Sequence, residues 1–216
     1  DPARTSPLHI PPNAATRGID RWVEALLAGD ADTVAALMAP SYTLDDRRPL
    51  FRMVTDRDAE IAVHLPLIHG GEWQVARTVL ATAGDRLALQ RCLWTKDQGG
   101  VRSEIELLEI DELGESGRFV RSIVFAPEDH AAAHDELFEC YVAMGADELP
   151  QHAIDWLHAV NAHDLGRARG AMADDFAMDD HRRTGMGRIE GADAYIEALA
   201  ALYDLIPDAR LDTLYI

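Results

Sequence analysis

The spacing of apolar residues changes from helical to strand-like along the first 130 positions. Ile19, Trp22, Val23, Leu26 and Leu27 recur three and four apart and predict an amphipathic helix that Gly29 and Asp30 stop. A second short helical run covers residues 32–38 and is broken by Pro40. Residues 42–46 and 50–54 suit a short hairpin. Residues 56–68 read as a third helix, with Asp56 as its N-cap and Pro66 ending it early. Four strand-like segments follow, 72–82, 86–96, 102–112 and 118–126. Their alternation is clear in Leu87, Leu89 and Leu93 and again in Phe119, Ile123 and Phe125. Glycine-rich turns separate them, such as Asp97-Gln98-Gly99-Gly100. Connections this short predict antiparallel neighbours, and a sheet with one wet face and one apolar face under helices.

The pattern then restarts. Offset by 134 positions, residues 22–48 lie on residues 156–182 without a gap, and nine of the 27 pairs are identical. Among them are Trp22/Trp156, Asp45/Asp179, Asp46/Asp180 and Arg48/Arg182. So long a period predicts domain-sized copies, not a solenoid. The expected organisation is a proline-rich linker at 1–13, a complete domain at 14–126, a connecting acidic helix at 127–149 and a partial second domain at 150–216. In that second copy residues 211–216 begin the first long strand.

Charge narrows the partners. The net charge of −18 excludes a nucleic-acid surface, which needs a basic stripe. No apolar run is long enough to span a bilayer and nothing at the start of the sequence reads as a signal, so the expected location is cytoplasmic. Cys92 and Cys140 read as two thiols. There is no glycine-rich phosphate loop, and no cofactor is expected. His130 and His134 stand one helical turn apart, as zinc ligands do, but lack an obvious third ligand, so no metal is expected.

The acidic pairs Asp45-Asp46 and Asp179-Asp180 close the first strand of each hairpin. Neighbours on a strand point to opposite faces, so one of each pair faces inward. Trp22, Tyr42, Trp156 and Phe176 recur between copies and suit either the core or the mouth of a cavity for a small apolar ligand. Arg48 and Arg182 stand just beyond the acidic pairs, placed to hold a carboxylate as an ion pair or to anchor a ligand.

The order of helix, helix, short hairpin, helix and four long strands resembles the NTF2-like, or SnoaL-like, family. The resemblance implies an α+β cone (the cystatin-like arrangement): three N-terminal helices packed on a curved antiparallel sheet, followed here by a second, truncated copy. The wording from Ala173 to Gly187, with Ile206-Pro207-Asp208-Ala209-Arg210, also resembles a C-terminal region of large actinobacterial signalling proteins that carry activator, ATPase or nucleotidyl-cyclase domains. In cone-fold isomerases such as ketosteroid isomerase a carboxylate at a similar hairpin position is the general base. By resemblance that role falls on Asp46 and Asp180, with His181 as a neighbouring proton shuttle. Isomerases set a tyrosine on the first helix opposite the base; here Trp22 and Trp156 stand instead, and neither carries a phenolic proton. The expected function is therefore a non-catalytic ligand-binding, dimerisation or regulatory module of a larger bacterial protein, contacting a second copy or neighbouring domains. The alternative is a small-molecule isomerase or cyclase.

Overall fold

The computed structural model of the protein describes residues 10–69, 73–145, 149–181 and 187–216. The chain divides into two units, Asp1–Met144 with Thr213–Ile216, and Gly145–Asp212.

The first unit opens with helix α1 (Ala14–Ala28). Asn13 caps it, accepting from the Thr16 backbone, while the Thr16 hydroxyl accepts from the Asn13 N–H. Gly29 ends it in the left-handed region at φ 70°, where glycine has no Cβ penalty. Helix α2 (Ala31–Leu37) is capped by Asp30. Strand β1 (Met38–Asp46) follows at once. Pro40 lies inside β1, not between elements, at an irregularity of register where a missing N–H is tolerated. β1 turns into β2 (Met53–Asp56), and helix α3 (Arg57–His69) starts under an Asp56 cap, whose carboxylate accepts from the Ala59 N–H at 2.9 Å. Pro66 does not end α3, which runs on to His69.

The long strands are β3 (Trp73–Ala83), β4 (Leu87–Gln98), β5 (Val101–Leu113) and β6 (Phe119–Phe125). The sheet order is β2-β1-β6-β5-β4-β3. β1 and β6 pair in parallel, so the sheet is mixed and the expected all-antiparallel sheet is corrected. The cause is topological. Each of β3 to β6 reverses direction, and the last one returns beside β1 running the same way.

A second difference matters more for function. Helix α4 (His130–Ala143) belongs to the first unit. Its Ala133, Leu137 and Cys140 pack on Leu87, Leu89, Leu108, Ile110, Ile123 and Phe125. The opposite face of the same sheet carries Ala88, Leu113 and Val124 and packs on Ile19, Val23 and Leu26 of α1. Helix α4 thus covers one end of the face that the alternation predicted to be wet, and Gln74, Ala76, Thr78 and Arg91 on the rest of that face are exposed. The last residues of the sequence run beside the end of β3: Tyr215 bridges Thr82 in parallel, and the Gly84 N–H donates to the Ile216 carbonyl at 2.9 Å. Residues 213–216 thus extend the first unit's sheet, where the sequence suggested a strand of the second copy.

The second unit contains α5 (Gln151–Asn161), α6 (Leu165–Gly170), the hairpin β7 (Ala177–Asp180) and β8 (Gly187–Glu190), and α7 (Ala192–Leu205). Its core gathers Ala159, Val160, Ala168, Tyr195 and Leu199, with Trp156 and Phe176 packed against them. Among the described residues no helix is long and apolar enough to cross a membrane.

Candidate functional site

In the first unit, between helices α1 and α3 and the inner face of the sheet, lies a cavity of about 580 Å³. Trp22, Leu44, Phe51, Trp73, Trp94 and Leu107 supply much of its apolar wall. A smaller recess of about 20 Å³ runs inward from it, and Trp22, Glu60, Trp94 and Glu109 line both. An apolar hollow with a few convergent polar groups is the usual form of a small-molecule site.

Asp46, the expected base, lines this cavity but is committed to Arg48. Arg48 Nε donates to Asp46 Oδ1 at 3.0 Å, Nη2 to Oδ2 at 2.6 Å, and the Arg48 backbone N–H to Oδ1 at 3.1 Å. Asp46 is 4% exposed. The guanidinium in turn lies 4.2 Å from the centroid of the Phe51 ring. A bidentate, charge-assisted pair of this kind is strong and geometrically fixed. To take a proton from a substrate, Asp46 would first have to leave Arg48. Asp45 points the other way and pairs with Arg47 at 2.8 Å.

The inner end of the cavity holds a polar cluster absent from the sequence-based expectations. On α3, His64 Nδ1 stands 3.0 Å from Glu60 Oε1, one turn away, and the edge of Trp22 meets the imidazole at 6.3 Å between centroids. Burial alone would lower the His64 pKa, but the hydrogen bond and charge of Glu60 outweigh it and the net direction is upward. On the sheet, Gln90 sits opposite Glu109 and Asp111 opposite Ser122. Ser122 Oγ donates to Asp111 at 2.6 Å and Gln90 Nε2 donates to it at 3.0 Å. The Gln90 carbonyl accepts from Arg77 at 3.0 Å, and Arg77 also pairs with Asp20 of α1. Tyr42, 5% exposed, lines the recess together with Ser122.

Burial pushes the Asp111 carboxyl up to about 6, against the lowering effect of the Ser122 and Gln90 hydrogen bonds. Glu109 is raised well above the usual carboxylate range, first by burial and then by the neighbouring charges of Asp111 and Glu60. It faces the cavity, and its closest donor, Gln90 Nε2, is at a long 3.4 Å. Burial and Glu60 likewise raise the Tyr42 phenol.

The remaining sequence-derived residues fall elsewhere. Trp22, Tyr42, Asp46 and Arg48 come together around the cavity and its recess. Trp156 and Phe176 pack in the core of the second unit, where Phe176 meets Tyr195 at 5.2 Å. Of the two places that the pattern allowed, they take the core. Among the described residues the strands of the second unit are the short β7 and β8, and its aromatics close on one another. Asp180 ends β7 half-buried and His181 is exposed beside it. Arg182, and with it the expected Asp180 partner, lies outside the described residues. Among the described residues no three His, Cys, Asp or Glu side chains are gathered as a metal ion requires, and His130 and His134 belong to α4 on the outer face of the sheet.

No protein-family model and no curated protein matches this sequence. Solved structures do resemble it. RV0760c from Mycobacterium tuberculosis, solved in complex with estradiol-17β-hemisuccinate, is 15% identical, with 54% of this chain and 96% of that one covered at a TM-score of 0.47. A Δ5-3-ketosteroid isomerase from a Mycobacterium species is 13% identical over 54% of this chain and 95% of its own, at 0.47. AusH from Aspergillus nidulans is 17% identical over 55% and 88%, at 0.46. These likenesses concern the fold, an α+β arrangement of helices on a mixed sheet, over about half of this chain.

Proposed function

We propose that the first unit binds an apolar small molecule in its cavity and performs no chemistry on it, acting as a ligand-binding module within a longer regulatory protein. The observation that carries this reading is the combination of an open cavity of about 580 Å³ with an Asp46 carboxylate already locked by Arg48. A cavity of that size accepts a ligand of several fused rings. The general base of the alternative isomerase reading is occupied by a cation, which argues for binding without turnover. The second unit runs helix, helix, hairpin, helix in the order of α1, α2, β1-β2 and α3, which supports reading it as a partial copy.

The test is titration with Nile red, a neutral apolar dye whose emission rises in an apolar site. One equivalent should bind saturably, and the dye should be recovered unchanged by mass spectrometry. The absence of saturable binding would remove the binding reading.

A further inference from the structure

The acidic side chains that face the cavity are unequally matched. Asp46, Glu60 and Glu109 turn to it, against Arg48 and His64. Asp46 is matched by Arg48 and Glu60 by His64. Glu109 is the third. Among the described residues no cation lies within ion-pairing distance of it. Gln90 offers it only the 3.4 Å contact, because the same amide serves Asp111 at 3.0 Å. Arg77 is spent on Gln90 and Asp20. A buried carboxyl left this poorly provided with donors is costly as an anion and gains most from a ligand that brings N–H groups and a positive charge.

The aromatic residues point the same way. Trp22 and Trp94 line both the cavity and the recess, as Glu109 does. Trp73 in the cavity wall already has a cation beside it, with Lys96 Nζ 5.7 Å from its ring centroid. Indole faces attract ammonium groups, and more strongly when water is excluded. The net charge of −18 favours the approach of a cation over that of an anion.

We infer that the cavity takes a protonated amine carried on an apolar, ring-sized body, with the ammonium set against Glu109 beside Trp22 and Trp94. The inference rests on the binding reading above and adds the ligand's charge to it. A neutral ligand whose carbonyl accepts from protonated Glu109 is the competing chemistry, and the two are separable.

The experiment uses a matched pair, 1-adamantanamine and 1-adamantanol, each displacing Nile red from the full chain at pH 7. The amine should bind at least about tenfold more tightly than the alcohol, the scale of one desolvated cation–π and ion-pair contact. In Glu109→Gln the preference should vanish while the alcohol's affinity changes less than about twofold. Glu109→Asp, which keeps the charge, should keep the preference, and it serves where the glutamine variant does not fold. Equal binding of the two probes, tighter binding of the alcohol, or a preference that survives Glu109→Gln would overturn the inference while leaving the cavity's binding role intact. Failure of the dye and both probes to bind would remove the binding role itself.

Discussion

The buried carboxyl of Asp111 makes the stability of the first unit depend on pH in a direction opposite to that of most carboxylates. Its pKa rises from 3.8 to about 6 on folding. The folded state therefore holds its proton over a window where the unfolded chain has lost it. The stabilisation is complete below pH 3.8 and is withdrawn as the pH climbs through about 6. At 1.36 kcal/mol for each factor of ten in proton affinity, the withdrawal is about 3 kcal/mol. Asp111→Asn cannot titrate. Its unfolding free energy should fall between pH 4 and pH 7 by about 2 kcal/mol less than that of the parent, because at pH 4 part of the unfolded chain still holds the proton. The asparagine retains an oxygen for Ser122 but turns an N–H towards Gln90, whose amide already donates there. That cost does not vary with pH and drops out of the comparison. Asp111 is also one cause of the raised Glu109 pKa, so the variant relaxes Glu109 in the same direction. The assay is urea unfolding followed by tryptophan emission in a Trp156→Phe background, which leaves Trp22, Trp73 and Trp94 to report on the first unit. Micromolar concentrations keep the protein in solution near its pI of 4.7. Parallel curves for parent and variant would refute the buried, proton-holding role of Asp111.

Two further perturbations test the frame around the cavity. Arg48→Met strands the Asp46 carboxylate at 4% exposure and should cost about 3 kcal/mol in urea unfolding, most of it restored by adding Asp46→Asn; an unchanged midpoint would deny the pair its role. Removing Thr213–Ile216 takes away three backbone hydrogen bonds to Thr82 and Gly84, at about 1 kcal/mol each. The Thr82 and Gly84 amides should then exchange at least about tenfold faster with solvent deuterium, while those inside α1 change less.

Much of the first unit was legible in the sequence because local signals agreed. Gly29 and Asp30 separate α1 from α2 as their cap chemistry requires. Asp56 caps α3, and the four long strands begin and end within two residues of their expected positions. The chemistry of the cavity floor was not legible, for one reason. Along β5 Leu108 and Ile110 alternate with Glu109 and Asp111, and alternation alone does not say which set faces α1 and α3. The packing of Ala133, Leu137 and Cys140 of α4 takes up Leu108 and Ile110, which leaves Glu109 and Asp111 on the cavity side. The alternation on β5 was visible; which face was inward depended on a contact between distant parts of the chain. Asp46 and Arg48 stand two residues apart, so a local motif sufficed to suggest their pairing. Gln90, Asp111 and Ser122 lie on three different strands, and no local motif links them.

The measurement that tests the account most directly fills the cavity and asks what is lost. Ala59 lines the cavity on α3, and Ala131 lies exposed on α4 at the far face of the sheet. Nile red is titrated into Ala59→Trp and into Ala131→Trp, with circular dichroism verifying that both are folded. The account predicts that Ala59→Trp loses saturable dye binding by at least about tenfold while Ala131→Trp matches the parent. Undiminished binding in a folded Ala59→Trp would contradict it, because the dye would then occupy some other surface.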